Sequence, residues 1–157
     1  MQICTNMEFT KSFETQVDKL GDKEQKTIMA ALKAVENSYS PYSNFKVGAS
    51  LLLENGEIIS GSNQENAAYP SGLCAERTAL FSYGSTSRKS PIAILAIIAF
   101  DKDKKQANTC SPCGSCRQVM VEYEHLQKTP YKVIFCYDDK IEILESATQL
   151  LPYAFHF

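Results

Sequence analysis

Three cysteines and one glutamate carry the most distinctive chemistry in this chain. Cys74 stands two residues before Glu76 in Gly72-Leu73-Cys74-Ala75-Glu76-Arg77-Thr78, and Cys113 and Cys116 stand three apart in Ser111-Pro112-Cys113-Gly114-Ser115-Cys116-Arg117. Thiolates are strong zinc ligands, and a set of three protein ligands leaves the open coordination position that a catalytic zinc needs. A carboxyl beside such a site can move protons. The pattern therefore reads as one catalytic zinc held by Cys74, Cys113 and Cys116, with Glu76 as general acid and base.

Successive residues of a helix advance by about 100°, so Cys74 and Glu76 cannot share one helical face, and Cys74 must stand at a helix entrance. There, and for Cys113 and Cys116 at the start of a second helix, the positive end of the helix dipole favours the thiolate. Three thiolates on a dication leave one net negative charge. Arg77, next to Glu76, and Arg117, next to Cys116, are available to donate to the sulfurs and offset it. Cys110, three residues before Cys113, could instead supply a fourth sulfur and close the metal to water, but that would leave Glu76 without a role. A set of six buried or oxidised cysteines without metal is a further reading. Cys4 and Cys136 read as ordinary thiols, and His125 and His156 as surface side chains.

The elements that must position these groups follow from periodicity. A helix is expected from Gly21-Asp22 to near Asn37, with Asp22 as cap, Gln25 completing a capping box, and Ile28, Leu32 and Val35 on one face. Lys46 to Leu53 and Glu57 to Asn63 read as a hairpin about a tight Asn55-Gly56 turn. Cys74 to Tyr83 reads as a helix stopped by Gly84. Ile92 to Phe100, apolar throughout, suits a central strand covered on both faces. A second site helix runs from the Pro112-Cys113-Gly114 turn to about His125. Tyr131 to Cys136 and Ile141 to Leu144 lie too close for a parallel crossover, so they form an antiparallel hairpin. Ser146 to Leu151 makes a last helical turn. Residues 1–20 show no firm period and are left as an arm. The sum is one α/β domain over residues 1–157, a five-stranded mixed sheet with helices on both faces in a three-layer αβα sandwich.

Composition narrows the partners. At 157 residues the chain has the length of one domain, which buries roughly 70% of its unfolded surface. A net charge of -2 gives no basic footprint for nucleic acid. The N-terminus has neither a basic nor an apolar leader region, and the longest apolar run is too short to span a bilayer. Six cysteines without such a leader fit metal binding in a reducing cytoplasm. The expected protein is cytoplasmic, acts on a small molecule, and engages neither nucleic acid nor membrane.

Beyond the cysteine motifs, the runs Ser40-Pro41-Tyr42-Ser43-Asn44-Phe45-Lys46-Val47-Gly48-Ala49, Asn63-Gln64-Glu65-Asn66-Ala67-Ala68-Tyr69 and Leu150-Leu151-Pro152-Tyr153-Ala154-Phe155 complete a pattern. The chain from about residue 20 onward resembles the small, all-cysteine cytidine deaminases. The resemblance implies a cytidine-deaminase-like fold and hydrolytic deamination of cytidine and deoxycytidine, with Glu76 as the proton shuttle. It further implies that Asn63 and Glu65 hold the ribose hydroxyls, that Phe45 packs on the pyrimidine and that the backbone of Ala75 meets its polar edge. Tyr69 would lie beside the site or reach a neighbouring subunit's, since the resemblance implies a homotetramer in which Tyr42, Tyr69 and Phe155 lie at subunit contacts. Gln64 stands where an aliphatic residue is commoner, and its side chain should point away from the ribose. Without the resemblance, Phe45 would read as core. Two rival readings stay open: a deaminase of a related nucleoside, such as a blasticidin-type antibiotic, and a non-enzymatic zinc-stabilised binding module.

Overall fold

A computed structural model describes Met7, residues 10–88 and residues 90–157; the expectation for Cys4 lies outside them. The sheet has five strands, β1 (Lys46–Leu53), β2 (Ile58–Ser62), β3 (Ile92–Phe100), β4 (Lys132–Tyr137) and β5 (Lys140–Leu144), in the order β2-β1-β3-β4-β5. The β3/β4 pair is parallel and the other three pairs are antiparallel. Helices α1 (Lys11–Asp18) and α2 (Asp22–Val35) cover one face; α3 (Ala75–Gly84) and α4 (Gly114–Gln127) cover the other. The expected three layers are present.

Period-two alternation divides the strands between the two faces. Leu95, Ile97 and Ala99 of β3 pack with Ala79, Leu80, Cys116 and Met120, whereas Ile94, Ala96, Ile98 and Phe100 pack with Ile28, Leu32, Val35 and Phe13. A strand buried on both sides must be apolar throughout, which is how β3 is written. Two glycines let the helices close on the sheet. A Cβ on Gly48 would lie 2.0 Å from the Ala31 carbonyl oxygen of α2, and one on Gly61 would lie 2.5 Å from the Ala79 nitrogen of α3.

Several local expectations need correction. Residues 11–18, left as part of an arm, form α1, capped by the Thr10 hydroxyl accepting from the Phe13 N–H at 3.2 Å, with Phe13 and Val17 buried one turn apart. At α2 the cap residue is Gly21, not Asp22, and no capping box forms: Gln25 Nε2 instead donates back to the carbonyls of Leu20 and Asp18, tying α2 to the link from α1. In the β1/β2 turn only Gly56 is left-handed, φ 86°, and the Gly56 N–H donates to Leu53 O, so the loop has three residues with glycine at its bulge. The two-residue turn is at Asp138-Asp139, both left-handed, where Tyr137 pairs with Lys140 and shortens the expected link. Gly84 does not stop α3 by a left-handed turn. It is the last helical residue, and glycine is needed there because a side chain would meet the Tyr123 hydroxyl at 1.9 Å.

Candidate active site and metal centre

The site forms where α3 and α4 begin. Cys74 and Cys113 are the N-cap residues of these helices, both with extended backbones and neither using its side chain to cap. Their sulfurs are thereby turned toward each other, 3.8 Å apart. Cys116, in the first turn of α4 and fully buried, lies 3.5 Å from Cys113, and all three sulfurs fall within 4.8 Å of one another. Tetrahedral zinc with Zn–S bonds near 2.3 Å sets sulfurs about 3.8 Å apart, so the observed spacing fits zinc. A donor supports this fit. Arg77 Nη2 lies 3.7 Å from the Cys74 sulfur, and its buried Nε has no hydrogen-bond partner among the described residues, which suits a site more negative than free thiols.

Without metal, Cys74 and Cys116 hold their protons unequally. Cys74 is pulled down to about 5, first by the hydrogen bond from Cys116 and, against the cost of burial, by Arg77 and Cys113. Cys116, as donor, is pushed up, first by its bond to Cys74 and then by burial. Glu76 is buried in the first turn of α3, and its carboxyl is raised to about 7, chiefly because burial penalises the charge. A carboxyl poised near neutrality can both take and return a proton at working pH.

Above this floor lies a cavity of about 890 Å³, lined by Cys74, Glu76 and Cys113 below and by Phe45, Asn63, Glu65 and Tyr69 among its walls. Ala75 and Cys116, fully buried, lie outside that lining. Ala75 opens α3, where a backbone N–H has no partner within the helix. The Asn63 side chain accepts from Ser38 Oγ at 2.6 Å and the Val47 N–H at 2.8 Å, and donates to Phe45 O at 2.8 Å. Glu65 accepts from the Tyr42 N–H at 2.9 Å and from Ser43 Oγ at 2.5 Å, and these bonds hold its carboxyl below the usual range, Ser43 most strongly. Tyr69 is exposed and meets Tyr42 edge-on, ring centroids 6.0 Å apart. Gln64 Nε2 donates to the Asn37 carbonyl and to Ser62 Oγ.

Other residues sort away from the metal cluster. Arg117 does not face the sulfurs: Nε donates to the Pro112 carbonyl at 2.8 Å and Nη1 to the Leu150 carbonyl at 3.4 Å, bracing the loop before Cys113 against the C-terminal segment. Cys110 lines the cavity, but among the described residues the metal-ligating group comprises only Cys74, Cys113 and Cys116. Burial pushes the Cys110 thiol well up and the Cys136 thiol up to about 12. His125 and His156 are exposed, their rings 5.4 Å apart. Sequence reasoning passed over Ser38 and Ser43. The signal for Ser43 is its place between Tyr42 and Phe45, the two residues of the 40–49 run to which the resemblance gives roles.

Three clustered thiols that can hold a zinc ion and a buried carboxyl, set in one cavity by two helix starts on a mixed sheet, have the make-up of a zinc-dependent hydrolase site. Residues 22–133 match the cytidine and deoxycytidylate deaminase zinc-binding region, and the chain belongs to that family. It is 48% identical over 98 residues to the cytidine deaminase of Halalkalibacterium halodurans, spanning 62% of this chain and 70% of that one. It is 36% identical over 129 residues to a probable cytidine deaminase of Dictyostelium discoideum, spanning 82% and 80%. The crystal structure of a Burkholderia pseudomallei cytidine deaminase superposes with a TM-score of 0.68 at 40% identity, covering 83% of this chain and 97% of that one. That of Mycobacterium tuberculosis gives 0.61 at 29% identity, covering 84% and 96%. Among the described residues no helix is long and apolar enough to cross a membrane.

Proposed function

We propose that the protein deaminates cytidine and deoxycytidine hydrolytically to uridine and deoxyuridine, releasing ammonia. The observation that carries this reading is the buried Glu76 carboxyl lining the same cavity as the cluster of Cys74, Cys113 and Cys116. Cys74, Cys113 and Cys116 would hold a zinc ion, which would supply Lewis acidity and make the attacking water easier to deprotonate. Glu76 takes the proton of the attacking water, delivers it to N3 of the base, and carries a second proton to the departing amine. Oxygen adds to C4 as N3 takes the first proton; the C4–N bond then breaks as the amine takes the second and leaves as ammonia, and no covalent link to the protein arises.

The remaining residues bind and orient. Phe45 packs on the pyrimidine, the backbone of Ala75 meets its polar edge, Glu65 accepts from the ribose hydroxyls, and Asn63, whose Oδ1 already accepts two bonds, meets them through Nδ2; all but Ala75 line the cavity. Arg77 tempers the charge of the thiolates through its contact with Cys74. Tyr69 closes the cavity rim or that of a neighbouring copy. The exposed aromatic side chains of Tyr42, Tyr69, Phe155 and Phe157 support assembly as a homotetramer, and the reaction fits pyrimidine salvage in the cytoplasm.

The deciding experiment assays ammonia release from cytidine, deoxycytidine, cytosine and deoxycytidine monophosphate, with zinc and the solution mass measured on the same sample. Turnover of the two nucleosides by a protein holding one zinc per chain is expected. Zinc-loaded protein inactive on both would overturn the reading, and a monomer mass would overturn the assembly.

A further inference from the structure

Residues 37–47 and 62–65 are laced together: Asn63 bonds the Phe45 carbonyl directly, and the bonds of Ser43 join Glu65 to the Phe45 N–H. Ser43 Oγ donates to Glu65 Oε1 at 2.5 Å and accepts from the Phe45 N–H at 3.0 Å. Its own N–H donates to Glu65 Oε2 at 3.3 Å, alongside the Tyr42 N–H at 2.9 Å. Asn44, left-handed at φ 56°, turns the chain between Ser43 and Phe45. The carboxylate on the sugar side and the backbone of the ring on the base side thus share one hydroxyl.

A carboxylate offers about four acceptor sites. Tyr42 and Ser43 occupy three of those on Glu65, one of them on Oε1, so Oε1 keeps room for one more donor. The direction in which Oε1 presents that lone pair is set by the Ser43 hydroxyl. We infer that Ser43 is the positioning residue of sugar recognition: it aims the remaining acceptor site of Glu65 and locks it at a constant offset from Phe45. Sugar and base are then read as one rigid unit, and the ordering cost of binding is reduced before substrate arrives. The inference rests on the reading of the site as that of a nucleoside deaminase. A serine that merely shaped the turn would serve Phe45 and Glu65 equally, and its loss would weaken every ligand of the cavity.

The test compares Ser43→Ala and Ser43→Thr, each alone and in a Glu65→Ala background. It measures cytidine kinetics, zinc content and melting temperature. It also measures affinity for pyrimidin-2-one as the free base and as its riboside. Hydrogen bonds to charged groups are worth enough that Ser43→Ala should raise KM for cytidine and weaken the riboside about tenfold or more, with kcat within about twofold and zinc unchanged. The free base should bind as before, Ser43→Thr should restore the riboside, and Ser43→Ala should add less than about twofold once Glu65 is gone. Equal losses for base and riboside, full additivity with Glu65→Ala, or an unchanged KM would each overturn the inference. If Ser43→Ala does not fold, Ser43→Cys, which keeps the size and weakens the donor, is read by the same criteria. A wild-type protein inactive on cytidine would overturn the parent reading and this inference with it. An active wild type whose KM ignores Ser43 would overturn this inference alone.

Discussion

Arg77 reaches back one helical turn to set Nη2 3.7 Å from the sulfur of Cys74, the residue that opens its own helix. The contact is reciprocal: Cys74 is the largest influence raising the Arg77 guanidinium, and Arg77 is among those lowering the Cys74 thiol. Groups that support metal ligands typically matter by 10- to 100-fold in affinity or rate. Arg77→Ala should therefore lower kcat by ~10-fold and quicken zinc loss to a chelator, measured by a colorimetric zinc dye. Arg77→Lys, lacking the fork, should recover only part of either.

Glu76→Gln should keep zinc and fold but lose ~10²- to 10⁴-fold in rate, measured as ammonia release. Stability gives an independent reading. Because burial raises the Glu76 carboxyl to about 7 from an ordinary 4.5, the folded metal-free protein holds a proton in that window that the unfolded chain has released. Folding is therefore weakened at this residue as pH rises through the window. Metal-stripped Glu76→Gln should match metal-stripped wild type at about pH 4 and melt higher than it above about pH 7.

Gly48→Ala and Gly61→Ala should each destabilise by ~1–3 kcal/mol, because the new Cβ meets helix backbone rather than a flexible side-chain tip. Their effects on rate should differ. Gly48 faces α2, away from the chemistry, whereas the Gly61 Cβ would press on the Ala75 carbonyl and the Ala79 nitrogen of the helix that carries Glu76. Urea titration with kinetics on the folded fraction should show kcat falling for Gly61→Ala and little changed for Gly48→Ala.

The Glu24–Lys132 pair, 2.8 Å long, ties the first turn of α2 to β4, and its hydrogen bond is the largest influence holding the Glu24 carboxyl below its ordinary value. A depressed carboxyl contributes stability that is present above about pH 4.5 and vanishes as pH falls through the folded value. Glu24→Gln should cost ~0.5 kcal/mol at neutral pH, less in high salt, and nothing in acid. Urea midpoints of the two proteins at pH 7 and about pH 3 check this.

What was legible in the chain was whatever local rules decide. The apolar run of β3, the hairpin of β1 and β2, and Cys74 at a helix entrance all follow from periodicity and cap geometry, and the structure bears these out. The helix Lys11–Asp18 was missed because eight residues give a single pair of buried side chains, Phe13 and Val17, against a polar background. Gln25 was misassigned because a capping box and a backward reach to Leu20 begin from the same side chain, and only the path of the preceding link chooses between them. Arg117 was offered to the sulfurs on sequence adjacency, but its direction is decided by Leu150, which arrives from the far end of the chain. The bonds of Asn63 and Glu65 to Ser38 and Ser43 were invisible for the same reason, since they join segments more than 20 residues apart.

Cys74 and Cys113 are 39 residues apart in sequence and cap two different helices, so the ion that joins them is also a cross-link. It closes a loop containing the whole of β3, the central strand of the sheet, and loop closure confers stability by restricting the unfolded chain. Chelation should consequently unfasten two helix starts from one another as well as silence the enzyme. Zinc supply would then govern how long a molecule survives along with how fast it works.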